Sequence, residues 1–249
     1  METLQGKSAF VLGASSGVGR ATLLALAARG ARVSAVARDR ERLERVVREA
    51  PGEVTALPGD AADPALYRRI IGEGRPDIVV LCLGARAPLG HVDEQTWESF
   101  SEAWNTDLKA MFHLCQQIVL QPLERGSVVI IVSSGAAIGG SPLSGGYAGA
   151  KRMQWLLAGY MQRLSERRNL GIRFLTVVPK QLIAGTTTAE RVSAAYAADG
   201  GITQEKFMER FGTPLFPEGV AEAIVKMATG EVGPTGGAFA VTGQAVEAL

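Results

Sequence analysis

The sequence predicts an α/β protein organised as a single domain, residues 1–249, around a doubly wound, seven-stranded parallel sheet. Three observations predict it: short β-branched runs alternating with helical patterns, near-continuous apolar stretches in the central runs, and a glycine cluster directly after the first run.

The strand candidates are residues 8–13, 32–37, 54–58, 77–83, 127–133, 172–178 and 238–242. Runs 77–83 and 127–133 are apolar almost throughout, as central strands covered by helices on both faces should be. Between strands, Leu43, Val46, Val47 and Ala50 fall at helical spacing, as do Trp97, Phe100, Trp104, Leu108, Met111, Phe112 and Cys115. The aromatic positions of the second set are expected in the core or at a subunit contact. Pro122 and Gly126 end that helix and hand the chain to the next strand. In a sheet of this kind ligands gather at the carboxyl ends of strands, so site residues should follow each strand rather than lie within it.

Composition narrows the function. Hydrophobic residues make up 47% of the 249 and charged residues 20%, the balance of an ordinary globular protein. A formal charge of +1 offers no footprint for nucleic acid. The arginines between 38 and 48 are interleaved with Asp39, Glu41 and Glu44, and read as a solvated helix face. Cys82 and Cys115 sit in apolar patterns and are expected as buried thiols, which suits a reducing cytoplasm. No segment approaches eighteen uninterrupted apolar residues, so neither export nor a membrane partner is expected. His91 and His113 lack neighbours at ligand spacing, so no metal site is expected.

After the first strand comes Gly13-Ala14-Ser15-Ser16-Gly17-Val18-Gly19, leading straight into a helical pattern. Glycines there permit a tight turn and close backbone approach, and the helix amino end offers free N–H groups to a pyrophosphate. The spacing is Gly-x3-Gly-x-Gly, and its position between strand and helix is that of a Rossmann-type dinucleotide fold. The second strand ends in Ala37-Arg38, where an NAD-selecting protein usually places an acid. Arg38 can pair with a 2′-phosphate, helped by the hydroxyls of Ser15 and Ser16, so NADP(H) is favoured over NAD(H). Asp60, in Gly59-Asp60-Ala61, stands either toward an adenine amino group or in a turn.

Tyr147 and Lys151 lie four apart at the start of a long helical pattern and share one face. A free tyrosine has a pKa of about 10, and a neighbouring ammonium favours its phenolate. With the glycine turn, Ser134 after the fifth strand and Asn105 in the helix after the fourth, the pattern resembles the short-chain dehydrogenase/reductase family along essentially the whole chain. Thirteen residues separate Ser134 from Tyr147, the family's usual distance, which prefers Ser134 over Ser133. The closing segment from Gly236 to Gly243 also looks like the family's last strand and glycine exit.

The resemblance implies hydride transfer between NADP(H) and a carbonyl or secondary alcohol, with Tyr147 as general acid/base. Ser134 is implied to hydrogen-bond the reacting oxygen. Lys151 is implied to bind the nicotinamide ribose and lower the tyrosine's pKa, and Asn105 to hold a water linking Lys151 to solvent. Cofactor contacts are implied for Gly13, Ser15, Ser16, Gly17, Val18, Gly19, Arg38, Asp60, Ala61, Gly84, Tyr147, Lys151, Pro179 and Ile183. A homodimer or homotetramer, formed through the helices carrying Trp104 and Trp155, is implied as well.

Two segments depart from the family. Leu81-Cys82-Leu83-Gly84 replaces the usual Asn-Asn-Ala-Gly, and Pro179-Lys180 replaces the usual Pro-Gly, with Thr186 as a shifted candidate for the threonine that contacts the nicotinamide amide. The loop 136–146 and the segment 182–217 are expected to line and cover the substrate, with helices at 188–198 and 204–211. The competing reading is a catalytically weak or inactive NADP(H)-binding regulatory protein.

Overall fold

The computed structural model describes residues 3–249. Its strands are β1 (Ser8–Leu12), β2 (Arg32–Ala37), β3 (Val54–Pro58), β4 (Ile78–Leu81), β5 (Val128–Val132), β6 (Arg173–Pro179), β7 (Gly237–Val241) and β8 (Val246–Ala248). They form one sheet in the order β3-β2-β1-β4-β5-β6-β7-β8. The first seven run parallel, and β8 pairs antiparallel with β7. The sheet therefore has eight strands rather than the seven expected. The eighth is three exposed residues returning after a turn in which Thr242 N–H donates to the Ala245 carbonyl, with no apolar run to announce it.

The helices are α1 (Gly17–Ala27), α2 (Arg40–Glu49), α3 (Pro64–Gly74), α4 (Trp97–Ala103), a π turn (Trp104–Leu108), α5 (Lys109–Leu120), α6 (Ala136–Gly139), α7 (Gly145–Arg167), α8 (Thr187–Asp199), α9 (Gln204–Glu209) and α10 (Pro217–Thr229). Alternate residues of the central strands feed two separate cores. Ile78 and Val80 pack with Leu23 and Leu26 of α1 and Ile224 of α10, whereas Val79 and Leu81 pack with Ile70 of α3 and Met111 of α5. The same alternation splits Val128, Ile130 and Val132 from Val129 and Ile131 in β5. Burial of each such side chain contributes about 1.5–3 kcal/mol, which is why the register holds. The strand order reverses between β1 and β4, so a crevice opens there at the carboxyl ends of the strands.

Among the described residues no helix is long and apolar enough to cross a membrane, and no group of three or more His, Cys, Asp and Glu could hold a metal ion.

Candidate active site

A cleft of about 810 Å³ occupies that crevice, lined by residues that follow β1, β2, β4, β5 and β6. Its floor is the glycine turn. Gly13 has φ +82°, and a Cβ there would stand 2.5 Å from the Cys82 carbonyl oxygen. A Cβ on Gly19 would overlap the Gly13 carbonyl, so the first turn of α1 can lie this close to β1 only with no side chain at position 19. Ser16 caps α1 with extended backbone and makes no side-chain capping bond, and the first turn carries no acid. The leading N–H groups, without intrahelical partners, thus face the cleft beside Ser15, Ser16, Gly17 and Val18. Backbone donors, a close approach and a cleft of this volume fit a dinucleotide's pyrophosphate.

At the end of β2, Arg38 is exposed, lines the cleft and is in no ion pair among the described residues. Its neighbour Asp39 is committed to α2: Oδ1 accepts the Arg42 N–H at 3.0 Å, and Oδ2 lies 3.2 Å from Arg42 Nε. The acid beside Arg38 is thus a helix cap. Asp60 lines the cleft while its Oδ1 accepts the Ala62 N–H at 2.9 Å, a turn role, and Ala61 is buried next to it. Gly84 lines the opposite wall with open space where a Cβ would stand. Burial pushes the Cys82 thiol up to about 12, so this sulfur is a packing group rather than a nucleophile.

Ser133 and Ser134, just past β5, divide their work. Ser133 is buried and its Oγ donates to the Lys151 carbonyl at 2.9 Å; Ser134 is half-buried, and its Oγ accepts the Ala136 N–H at 3.2 Å. Tyr147 lies in the first turn of α7, half-buried, and both it and Ser134 line the cleft. Lys151 is one turn on, 1% exposed, with Nζ 5.5 Å from the centroid of the Tyr147 ring. Its ammonium donates to the Leu83 carbonyl at 2.7 Å and lies 3.2 Å from Asp107 Oδ2. Burial alone would pull the lysine's pKa down, but the Asp107 carboxylate and Tyr147 outweigh it, and the net direction is upward.

Asn105 does not join this group. It is exposed, its Nδ2 donates to Ser101 Oγ at 3.1 Å, and it does not line the cleft. The residue brought to Lys151 is Asp107, two positions on and so on another face of the helix. The π turn spanning both residues makes the difference: it widens the helix locally and rotates everything beyond it. Trp97, Trp104 and Phe112 are exposed while Met111 and Cys115 are buried. Asp107 was detectable as an acid spaced four after Ala103 and before Met111, on what becomes the buried stripe. Gln154, whose Nε2 donates to the Asp107 carbonyl at 2.9 Å, lies three beyond Lys151, and nothing in its sequence neighbourhood sets it apart from the other polar residues of the helix.

On the far side, Pro179 and Ile183 line the cleft, and Ile183 bridges to Leu215. Thr186 caps α8, its Oγ1 accepting the Ala189 N–H at 3.1 Å and donating to the Ile183 carbonyl at 2.7 Å. Lys180 is exposed and does not line the cleft; Gln181 does, anchored by the Thr213 carbonyl at 2.8 Å. Helix α8 is stitched down by Arg191 to the Ala87 carbonyl (2.9 Å), His91 Nε2 to Asp199 Oδ1 (2.8 Å), and the Tyr196 hydroxyl to Ser141 Oγ and the Leu143 N–H.

A family model described as short chain dehydrogenase matches residues 7–195. Among curated proteins, the chain is 36% identical to mouse (Mus musculus) L-xylulose reductase over 54% of this chain and 55% of that enzyme. It is 29% identical to the uncharacterized oxidoreductase YghA of Escherichia coli (strain K12) over 85% of this chain and 71% of that protein. It is also 31% identical to the 3-oxoacyl-[acyl-carrier-protein] reductase FabG of Thermotoga maritima over 59% of this chain and 63% of that enzyme. The match thus spans about half the length of the L-xylulose reductase.

Proposed function

The chain belongs to the short chain dehydrogenase family, and on that premise we propose that it is an oxidoreductase transferring a hydride between NADP(H) and a carbonyl or secondary alcohol. The observation that carries the reading is Tyr147 and Lys151 on successive turns of α7, in one cleft with Ser134 and the glycine turn. Names of relatives that reduce a ketose or a 3-oxoacyl group support the carbonyl class.

When bound, the dinucleotide supplies or accepts the hydride at its nicotinamide. The chain's residues do the rest. Gly17, Val18 and Gly19 hold the pyrophosphate on backbone N–H groups, Gly13, whose own N–H is taken by the Val36 carbonyl at 2.9 Å, lets it approach closely, and Ser15, Ser16 and Arg38 take the 2′-phosphate. Asp60 and Ala61 border the adenine, while Gly84, Pro179, Ile183 and Lys151 border the nicotinamide half. Ser134 donates a hydrogen bond to the reacting carbonyl oxygen, and Tyr147 delivers the proton that this oxygen acquires. In alcohol oxidation the tyrosine takes that proton back.

The segment 182–217 covers the substrate, which is a small molecule rather than nucleic acid or a membrane. Exposed Phe112 and Leu120 on α5 and Leu156 and Tyr160 on α7 support a homodimer or homotetramer, and the two unpaired cysteines suit the cytoplasm. The test is titration of purified protein with NADPH and with NADH, followed by a turnover screen on ketones and secondary alcohols. Tighter NADPH binding with turnover supports the reading. Tight NADPH binding without turnover leaves a cofactor-binding regulatory protein, and tighter NADH binding overturns the role of Arg38.

A further inference from the structure

Lys151 is buried in a place where its charge needs a partner. An ammonium has three N–H donors, and the structure offers it three acceptors: the Leu83 carbonyl at 2.7 Å, the Val132 carbonyl at 3.4 Å and Asp107 Oδ2 at 3.2 Å. Side chains of the ion pair are 2% and 3% exposed. The carboxylate is itself held rigidly. Oδ2 accepts the Ala85 N–H at 3.1 Å, the Thr106 hydroxyl lies 3.2 Å from Oδ1 and shares its one proton with the Glu102 carbonyl at 2.9 Å, and the Asp107 carbonyl is taken by Gln154.

The groups facing Lys151 can be counted. The π turn contributes Asp107, α7 contributes Tyr147, and the segment after β4 contributes Cys82, whose buried thiol is neutral. The end of β5 offers only the hydroxyls of Ser133 and Ser134; Arg86 and Glu102 also line the cleft. With Tyr147 protonated, Asp107 and Lys151 sum to zero charge. Loss of one proton from the Tyr147 and Lys151 pair then leaves a net negative charge in a buried place, which burial opposes. Without the carboxylate the same proton loss would carry the pair from positive to neutral, which burial favours.

We propose that Asp107 is a positioning residue for the reaction: its carboxylate fixes the Lys151 ammonium and cancels its charge, keeping Tyr147 as the neutral acid that protonates a carbonyl oxygen. The proposal rests on the reading of Tyr147 as the proton-transfer group. It biases the centre toward carbonyl reduction and makes alcohol oxidation demand a higher pH.

Asp107→Asn removes the charge while keeping an acceptor for the Ala85 N–H. The experiment is a pH titration of near-ultraviolet phenolate absorbance in the full chain. Subtracting the same titration of Tyr147→Phe, in each background, isolates one of the four tyrosines. The Tyr147 signal is expected to rise at least about one pH unit lower in Asp107→Asn than in the wild type, and Asp107→Glu to return it toward the wild-type position. A signal at the same or higher pH in Asp107→Asn overturns the proposal. If that variant loses its cooperative thermal transition, Asp107→Ser carries the same expectation and the same refutation. Because this readout needs no turnover, its failure is separate from a failure of the oxidoreductase reading, which the substrate screen reports.

Discussion

Ser133 Oγ donates a hydrogen bond of 2.9 Å to the Lys151 carbonyl, tying the end of the fifth strand to the second turn of the helix that carries Tyr147. The bond is buried and joins residues 18 apart in the chain. It fixes the next residue, Ser134, relative to Tyr147. Two adjacent serines should therefore respond differently to the same truncation. Ser133→Ala should cost about 1 kcal/mol of stability, visible as a lowered denaturation midpoint. Ser134→Ala should leave the midpoint nearly unchanged and lower kcat by about 10²–10³-fold. Equal effects of the two on stability and turnover would dissolve the division of labour.

Arg38 stands in the cleft without an acidic partner among the described residues, since Asp39 is engaged by Arg42. A charge-assisted bond to a phosphate is worth about 1.5–3 kcal/mol, or roughly a 10–100-fold change in affinity. Arg38→Ala should weaken NADPH binding by that factor and leave NADH binding unchanged, as measured by fluorescence titration. An equal loss for both nucleotides would place Arg38 in general binding rather than in selection.

His91 and Asp199 form an exposed ion pair that joins the loop after β4 to the end of α8. The hydrogen bond and charge of Asp199 raise the histidine's pKa, with Glu94 and Asp93 acting in the same direction. A raised histidine contributes stability that is complete below the unfolded value and lost as pH rises through the folded one. The thermal midpoint of the wild type should therefore exceed that of Asp199→Asn at about pH 5.5, with the gap closing by about pH 9. A gap independent of pH would show that the pair contributes through shape alone.

Much of this architecture was legible in the chain because it rests on local chemistry. Glycine spacing is a statement about what backbone can approach what, and the clash of a Cβ at Gly19 with the Gly13 carbonyl is its three-dimensional form. Apolar runs at 77–83 and 127–133 identified central strands because both of their faces are covered. The strand Val246–Ala248 was not legible, since its pairing comes from a hairpin turn and not from burial. Nor was the choice between Asn105 and Asp107. A helical wheel assumes uniform pitch, and the π turn Trp104–Leu108 breaks it at the point where the pattern needed to be read. Within that turn the Asp107 carboxylate is buried while Trp104 and Asn105 are exposed.

Tyr147 as the residue that moves the proton during hydride transfer is tested by steady-state reduction of a ketone found in the NADPH screen, compared between wild type and Tyr147→Phe. The mechanism predicts a kcat lower by about 10²–10⁴-fold in the variant, with the Kd for NADPH within a factor of about two because the pyrophosphate and 2′-phosphate contacts lie elsewhere. A Tyr147→Phe enzyme that binds NADPH normally and turns over at the wild-type rate would contradict it.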